Sequence, residues 1–136
     1  YQAGTLSGNP VATACGLATL KEVAKPGFFE RLGHRTRSLV DGLKAAASAE
    51  GLPFNADSEG GMFGFFLMDA RPQNYATVMT TDNAKFNALF HGLLDHGVYV
   101  APALYEAGFV SAAHSEDDIA ETLASAREIF RTLAHR

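Results

Sequence analysis

Between Phe28 and Ala49 the apolar residues Phe29, Leu32, Leu39, Val40 and Leu43 recur on one stripe, while Arg31, Arg35, Arg37, Asp41 and Lys44 lie mostly outside it. That period predicts a long amphipathic helix with one face to bury. An isolated helix of this kind has to find a second layer to pack on. The chain supplies one directly afterwards. Gly51 ends the helix, and Leu52-Pro53-Phe54 begins an extended segment. After Gly60-Gly61, the continuous apolar run from Met62 to Met68 is too short for a typical isolated helix and rich in Phe. It predicts a buried strand at the centre of a small sheet.

The remaining elements follow by the same rules. Pro10 to about Ala24 predicts a first helix, with Leu17, Leu20 and Ala24 on one face and small residues at Ala12, Cys15 and Gly16 for close packing; Pro26-Gly27 interrupts it. Asp69 to Thr81 is a polar, proline-containing connection. Phe86, Leu89, Phe90, Leu93 and Leu94 mark another helix, stopped by Gly97. Val98-Tyr99-Val100 predicts a second core strand, and Phe109-Val110-Ser111 a short extended piece. Ser115 with Asp118 three residues on forms a capping box that opens the last helix, whose inner face is Ile119, Thr122, Leu123, Ala126, Phe130 and Leu133. The fold class expected is α+β, a small and mostly antiparallel sheet covered by helices on one side.

A chain of 136 residues, 47% hydrophobic and 19% charged, suffices for one domain with a real core. Its net charge of -4 offers no clustered basic face, so nucleic acid is not expected as a partner. The single cysteine, Cys15, excludes an intrachain disulfide and is expected as a small buried packing residue. No apolar run approaches the ~20 residues that span a bilayer, and a cytoplasmic location is expected, with an organelle interior after processing as the alternative. His91 and His96 are five apart, off the spacing that aligns two ligands on a helix face, so no metal site is expected.

One segment carries chemistry of its own. In Gly4-Thr5-Leu6-Ser7-Gly8-Asn9-Pro10, Asn9 suits the N-cap and Pro10 the first helical position. A loop rich in Gly and hydroxyls that feeds a helix N-terminus can hold a phosphate through backbone donors, Thr5 and Ser7, with the free N–H groups of the first turn pointing back at Gly4 to Gly8. The same residues also describe a well-capped helix that binds nothing.

Tyr1 to Pro10, Gly60-Gly61-Met62-Phe63-Gly64-Phe65-Phe66, Phe90 to Pro102 and Tyr105-Glu106-Ala107-Gly108-Phe109-Val110-Ser111-Ala112-Ala113-His114 resemble, in order, the C-terminal part of the glutamate-1-semialdehyde 2,1-aminomutase family. This is a branch of the class III aminotransferases that use pyridoxal 5'-phosphate. With the helices between them, the blocks cover essentially the whole chain. The resemblance implies that residues 1–25 are a phosphate-loop segment and first helix leading from a large cofactor-binding domain, and that 26–136 form the small C-terminal domain. It further implies a homodimer in which Thr5, and less directly Gly4, reaches the cofactor phosphate of the neighbouring subunit. Tyr1 then stands at the shared active-site wall and Glu106 near the substrate.

An ordinary class III aminotransferase commonly carries an arginine and a Pro-Pro turn near the Glu106 loop, where this chain has Gly108 to His114. The chemistry implied is an internal amino exchange that converts glutamate-1-semialdehyde to 5-aminolevulinate for tetrapyrrole synthesis, with the cofactor ring as electron sink. It needs a Schiff-base lysine, and none of Lys21, Lys25, Lys44 or Lys85 fits, since each reads as a surface charge. That lysine is expected to precede Tyr1, and the chain alone to be inactive. Two other readings remain, a class III aminotransferase fragment and a non-catalytic α+β interaction module. His114 matches the family block and reads as structural.

Overall fold

The computed structural model describes residues 3–135. The amphipathic stripe becomes α2 (Phe28–Ala49), preceded by α1 (Pro10–Val23) and followed by β1 (Asn55–Glu59) and β2 (Met62–Phe66). Gly60, with a φ of 56°, turns the chain between these strands, so that Glu59 pairs with Met62 and Asn55 with Phe66. Such a φ is open to glycine at no steric cost, which keeps the hairpin tight. Next come α3 (Tyr75–Val78), α4 (Asn83–Asp95), β3 (Gly108–Phe109) and α5 (Glu116–Ala134). The sheet runs β1-β2-β3 with both pairings antiparallel, and the apolar run 62–66 is its centre, as its composition predicts.

The helices close over one face of this sheet. α2 packs on β1 and β2, α5 on α2, and α4 on α5. Aromatic rings join the layers: Phe54 stacks on Phe65 at 5.6 Å and meets Phe130 of α5 at 5.3 Å, while Phe65 faces Phe86 of α4 at 6.2 Å. Phe130 is wholly buried and Leu89 nearly so. Thr36 is the one fully buried polar side chain among the described residues, and its hydroxyl donates to the Leu32 carbonyl at 2.9 Å. That bond removes the penalty of burying an unpaired hydroxyl.

Four expectations are corrected. Cys15 is exposed rather than packed, because α1 buries none of its residues and leaves Leu17 and Leu20 largely in solvent. Phe29, placed on the inner stripe of α2, is exposed because it precedes the stretch that meets the sheet. Val98-Tyr99-Val100 is not a strand: the Val98 N–H closes the end of α4 by donating to the Leu93 carbonyl at 2.8 Å, and the segment joins no ladder and runs past the core with Tyr99 outward. The polar connection after Asp69 contains the short helix α3, capped by the Asn74 side chain accepting from the Thr77 N–H at 2.9 Å.

Candidate functional site

The loop before α1 is built from two successive turns. The Ser7 N–H donates to the Gly4 carbonyl at 3.0 Å and the Asn9 N–H to the Leu6 carbonyl at 3.1 Å, with Gly8 at a φ of 75° letting the chain swing into the helix. Asn9 is the N-cap, as its sequence position predicts. Its Oδ1 takes the N–H groups of Val11 at 3.0 Å and Ala12 at 3.1 Å, and its carbonyl takes that of Thr13 at 2.9 Å. Pro10 has no N–H to offer. The first-turn amides expected to point at a phosphate are therefore already used, which corrects that part of the reading. What the loop leaves unpaired to other described residues is the amide and hydroxyl of Thr5, the amides of Leu6 and Gly8, and the Ser7 hydroxyl. All of these residues are exposed. That donor set suits a doubly charged phosphate, which gains from several short charge-assisted bonds. Tyr1 lies outside the described residues.

Glu106 sits on the loop from α4 to β3, where its N–H donates to the Ala103 carbonyl at 3.2 Å. Its side chain is exposed and joins no ion pair or hydrogen bond among the described residues. The loop enters the sheet at Gly108, where an added Cβ would lie 2.3 Å from the Phe63 ring. Only glycine lets the backbone pass that ring. Beyond it, the Val110 N–H donates to the Gly61 carbonyl at 2.8 Å and extends the short β3 pairing.

The next turn is tied on three sides. The Ser111 N–H donates to His114 Nδ1 at 2.9 Å, the Ala113 N–H to Ser111 Oγ at 3.0 Å, and Arg35 Nη1 of α2 to the Ala112 carbonyl at 3.2 Å. Sequence reading placed Arg35 among polar-face residues. Its partner lies 77 residues away, so no local signal marks it.

At the following residue the predicted capping box is present. Ser115 Oγ accepts from the Asp118 N–H at 3.1 Å, and Asp118 Oδ2 accepts from the Ser115 N–H at 2.6 Å. The bonds from the Ser115 backbone and hydroxyl hold the Asp118 carboxyl below the usual carboxylate range. At the far end of α4, the His96 imidazole is shifted the other way, upward. The Gly92 carbonyl bonded to its ring is the main cause, and Glu128 adds to it.

Among the described residues, no hydrogen bond joins the two loops. α1 rests on α2, whereas the Glu106 loop is anchored on β2. An apolar cavity of ≈ 130 Å³ lies between the sheet and α2, α4 and α5, with Val98, Val100 and His114 on its wall. None of Gly4, Thr5 or Glu106 lines it. Lys25 pairs with Glu22 on the surface at 2.6 Å, and Lys21 and Lys44 are exposed, whereas Lys85 in the first turn of α4 is half-buried rather than a fully exposed charge.

This three-stranded sheet under four long helices is the fold of transaminase-type enzymes. The glutamate-1-semialdehyde-aminomutase of Pseudomonas aeruginosa PAO1 superposes with a TM-score of 0.81 at 23% identity, covering 96% of this chain and 29% of that one. A lysine-to-alanine variant of that enzyme, solved in complex with PMP, gives a TM-score of 0.79 at 23% identity over 93% of this chain and 28% of the other. No family model matches. In sequence, the chain is 75% identical over 134 residues to the glutamate-1-semialdehyde 2,1-aminomutase of Paracidovorax citrulli, a match that takes in 98% of this chain and 31% of the relative. Over 98% of its length the chain is similar to members of the glutamate-1-semialdehyde 2,1-aminomutase family, and it spans about a third of the length of the curated relatives it matches. Pyridoxal phosphate is the cofactor of that family.

Proposed function

We propose that this chain is the C-terminal part of a homodimeric enzyme that converts glutamate-1-semialdehyde to 5-aminolevulinate in tetrapyrrole synthesis, in the cytoplasm. The observation that carries the reading is the 75% identity over nearly the whole chain, and the open donors at Thr5 give it a physical site. In this reading residues 1–25 lead from the large domain and 26–136 form the small one. The cofactor, when bound, supplies an electron sink for the amino exchange. Thr5 and the Leu6 and Gly8 amides hold its phosphate from the neighbouring subunit, with Gly4 shaping the turn. Glu106, exposed and unpaired, faces the amino groups of the substrate and favours their charged form. Tyr1 belongs to the same wall. The lysine that binds the cofactor covalently is none of Lys21, Lys25, Lys44 and Lys85 in this reading, so the chain alone is inactive.

The test uses the full-length protein. Conversion of glutamate-1-semialdehyde without any keto-acid acceptor supports the mutase, and a requirement for an acceptor supports an aminotransferase instead. Thr5→Val removes one hydrogen bond to a charged group, worth about 1.5–3 kcal/mol, and is expected to weaken cofactor binding roughly tenfold or more. Unchanged affinity in a cofactor titration overturns the assignment of Thr5.

A further inference from the structure

We propose that His114 is a positioning residue that sets the Glu106 loop through the Ser111–His114 turn, with Arg35 clamping that turn to α2. The proposal rests on the reading that Glu106 faces the substrate.

β3 has only two paired residues, Gly108 and Phe109, and one further bond from Val110 to Gly61. So short a ladder fixes a strand's direction weakly. The hold on the far side is therefore what keeps the preceding loop from pivoting. There the His114 side chain reaches back to accept the Ser111 N–H at 2.9 Å, the His114 N–H donates to the Ser111 carbonyl at 3.2 Å, and Ala113 closes on Ser111 Oγ. Arg35 fastens the Ala112 carbonyl from another layer of the fold, and the capping box begins at the next residue. The chain leaving Glu106 thus passes the Phe63 ring at Gly108 and is then tied to α2 and α5. An imidazole nitrogen accepts an N–H only when it carries no proton, so the turn requires His114 with Nδ1 bare. Asparagine places its Oδ1 where histidine has Nδ1 and accepts the same bond. Alanine does not.

These groups are solvent-exposed, so the turn contributes little to stability, and the mark of a positioning role is lost activity in a protein that stays folded. In the full-length enzyme loaded with cofactor, His114→Ala is expected to lower kcat about tenfold with KM nearly unchanged, as a misplaced catalytic group does. Hydrogen exchange of the peptide covering residues 103–112 is expected to speed up, with little change in Tm. His114→Asn is expected to restore both rate and protection.

Glu106→Gln is measured alongside. If it is impaired while His114→Ala is fully active, the positioning role is overturned and the reading of Glu106 stands. Failure of His114→Asn to rescue, or lost activity with unchanged exchange, also overturns the role. If Glu106→Gln is fully active, it is the Glu106 reading that fails. Exchange alone then decides whether His114 holds the loop: faster in His114→Ala and normal in His114→Asn supports it, and no difference overturns it.

Discussion

α1, of 14 residues, and α5, of 19, are both well-capped helices with opposite economies. α5 opens on a two-way capping box, buries Ala126, Ile129, Phe130 and Leu133, and packs on both α2 and α4. α1 is equally well capped by Asn9 and Pro10, yet buries no residue and leans mainly on α2 among the described residues. Good capping is therefore no sign of good packing. A cap is written in adjacent residues, whereas burial depends on what the rest of the fold presents. α5 belongs to the core, while α1 serves as the stem that presents the Thr5 loop.

The contrast can be broken most sharply at Phe130. Phe130→Ala empties a site with no exposed surface and is expected to cost about 3–5 kcal/mol in denaturant unfolding. A loss under 1 kcal/mol would mean the aromatic layer is not the core of the fold. Next comes Gly108→Ala, whose Cβ meets the Phe63 ring and forces either ring or loop to move. A loss of about 1–3 kcal/mol is expected, the usual cost of overpacking, and a neutral result would show that the Glu106 loop shifts freely.

Ser115→Ala removes half of the α5 capping box and should cost roughly 1 kcal/mol in the same measurement. The Asp118 half is read by pH. Its folded pKa lies below the unfolded one, so its contribution is full above the ordinary carboxylate pKa and is lost as pH falls through the depressed value. Asp118→Asn should flatten that acid limb. His96 has the opposite sign: its folded pKa is raised, so its stabilisation is present at pH below its ordinary value and disappears as pH rises through the raised one. At the bottom of the scale, Leu17→Gln on α1 is expected to stay within about 0.5 kcal/mol of the parent in this chain. A large loss would mean α1 is packed after all.

Elements set by local period and punctuation were legible in the residues. α2 follows its stripe to Ala49, α4 follows Phe86 to Leu94, and α5 starts after Ser115. β2 was legible as an apolar run, but its partner β1, Asn-Ala-Asp-Ser-Glu, is polar and becomes a strand only because the Gly60 turn folds it onto β2. Val98-Tyr99-Val100 had the composition of a strand, yet its first N–H closes the end of α4 and the segment joins no ladder, which no composition records. In the candidate site the Thr5 loop and its cap were visible, while the competition of Asn9 for the helix amides was not, since one residue filled both roles on paper. The Arg35 clamp depends on two segments meeting through the whole fold.

β1 ends the sheet, and its outer side carries a row of backbone groups able to recruit a strand from another molecule. The residues on that strand answer the hazard. Asp57 and Glu59 project to one side at alternate positions, and Arg71 sits against Asp57 at 2.8 Å. The pair of like charges repels an identical strand arriving in register. Polarity that made this strand hard to read also guards the molecule against aggregation through its own sheet.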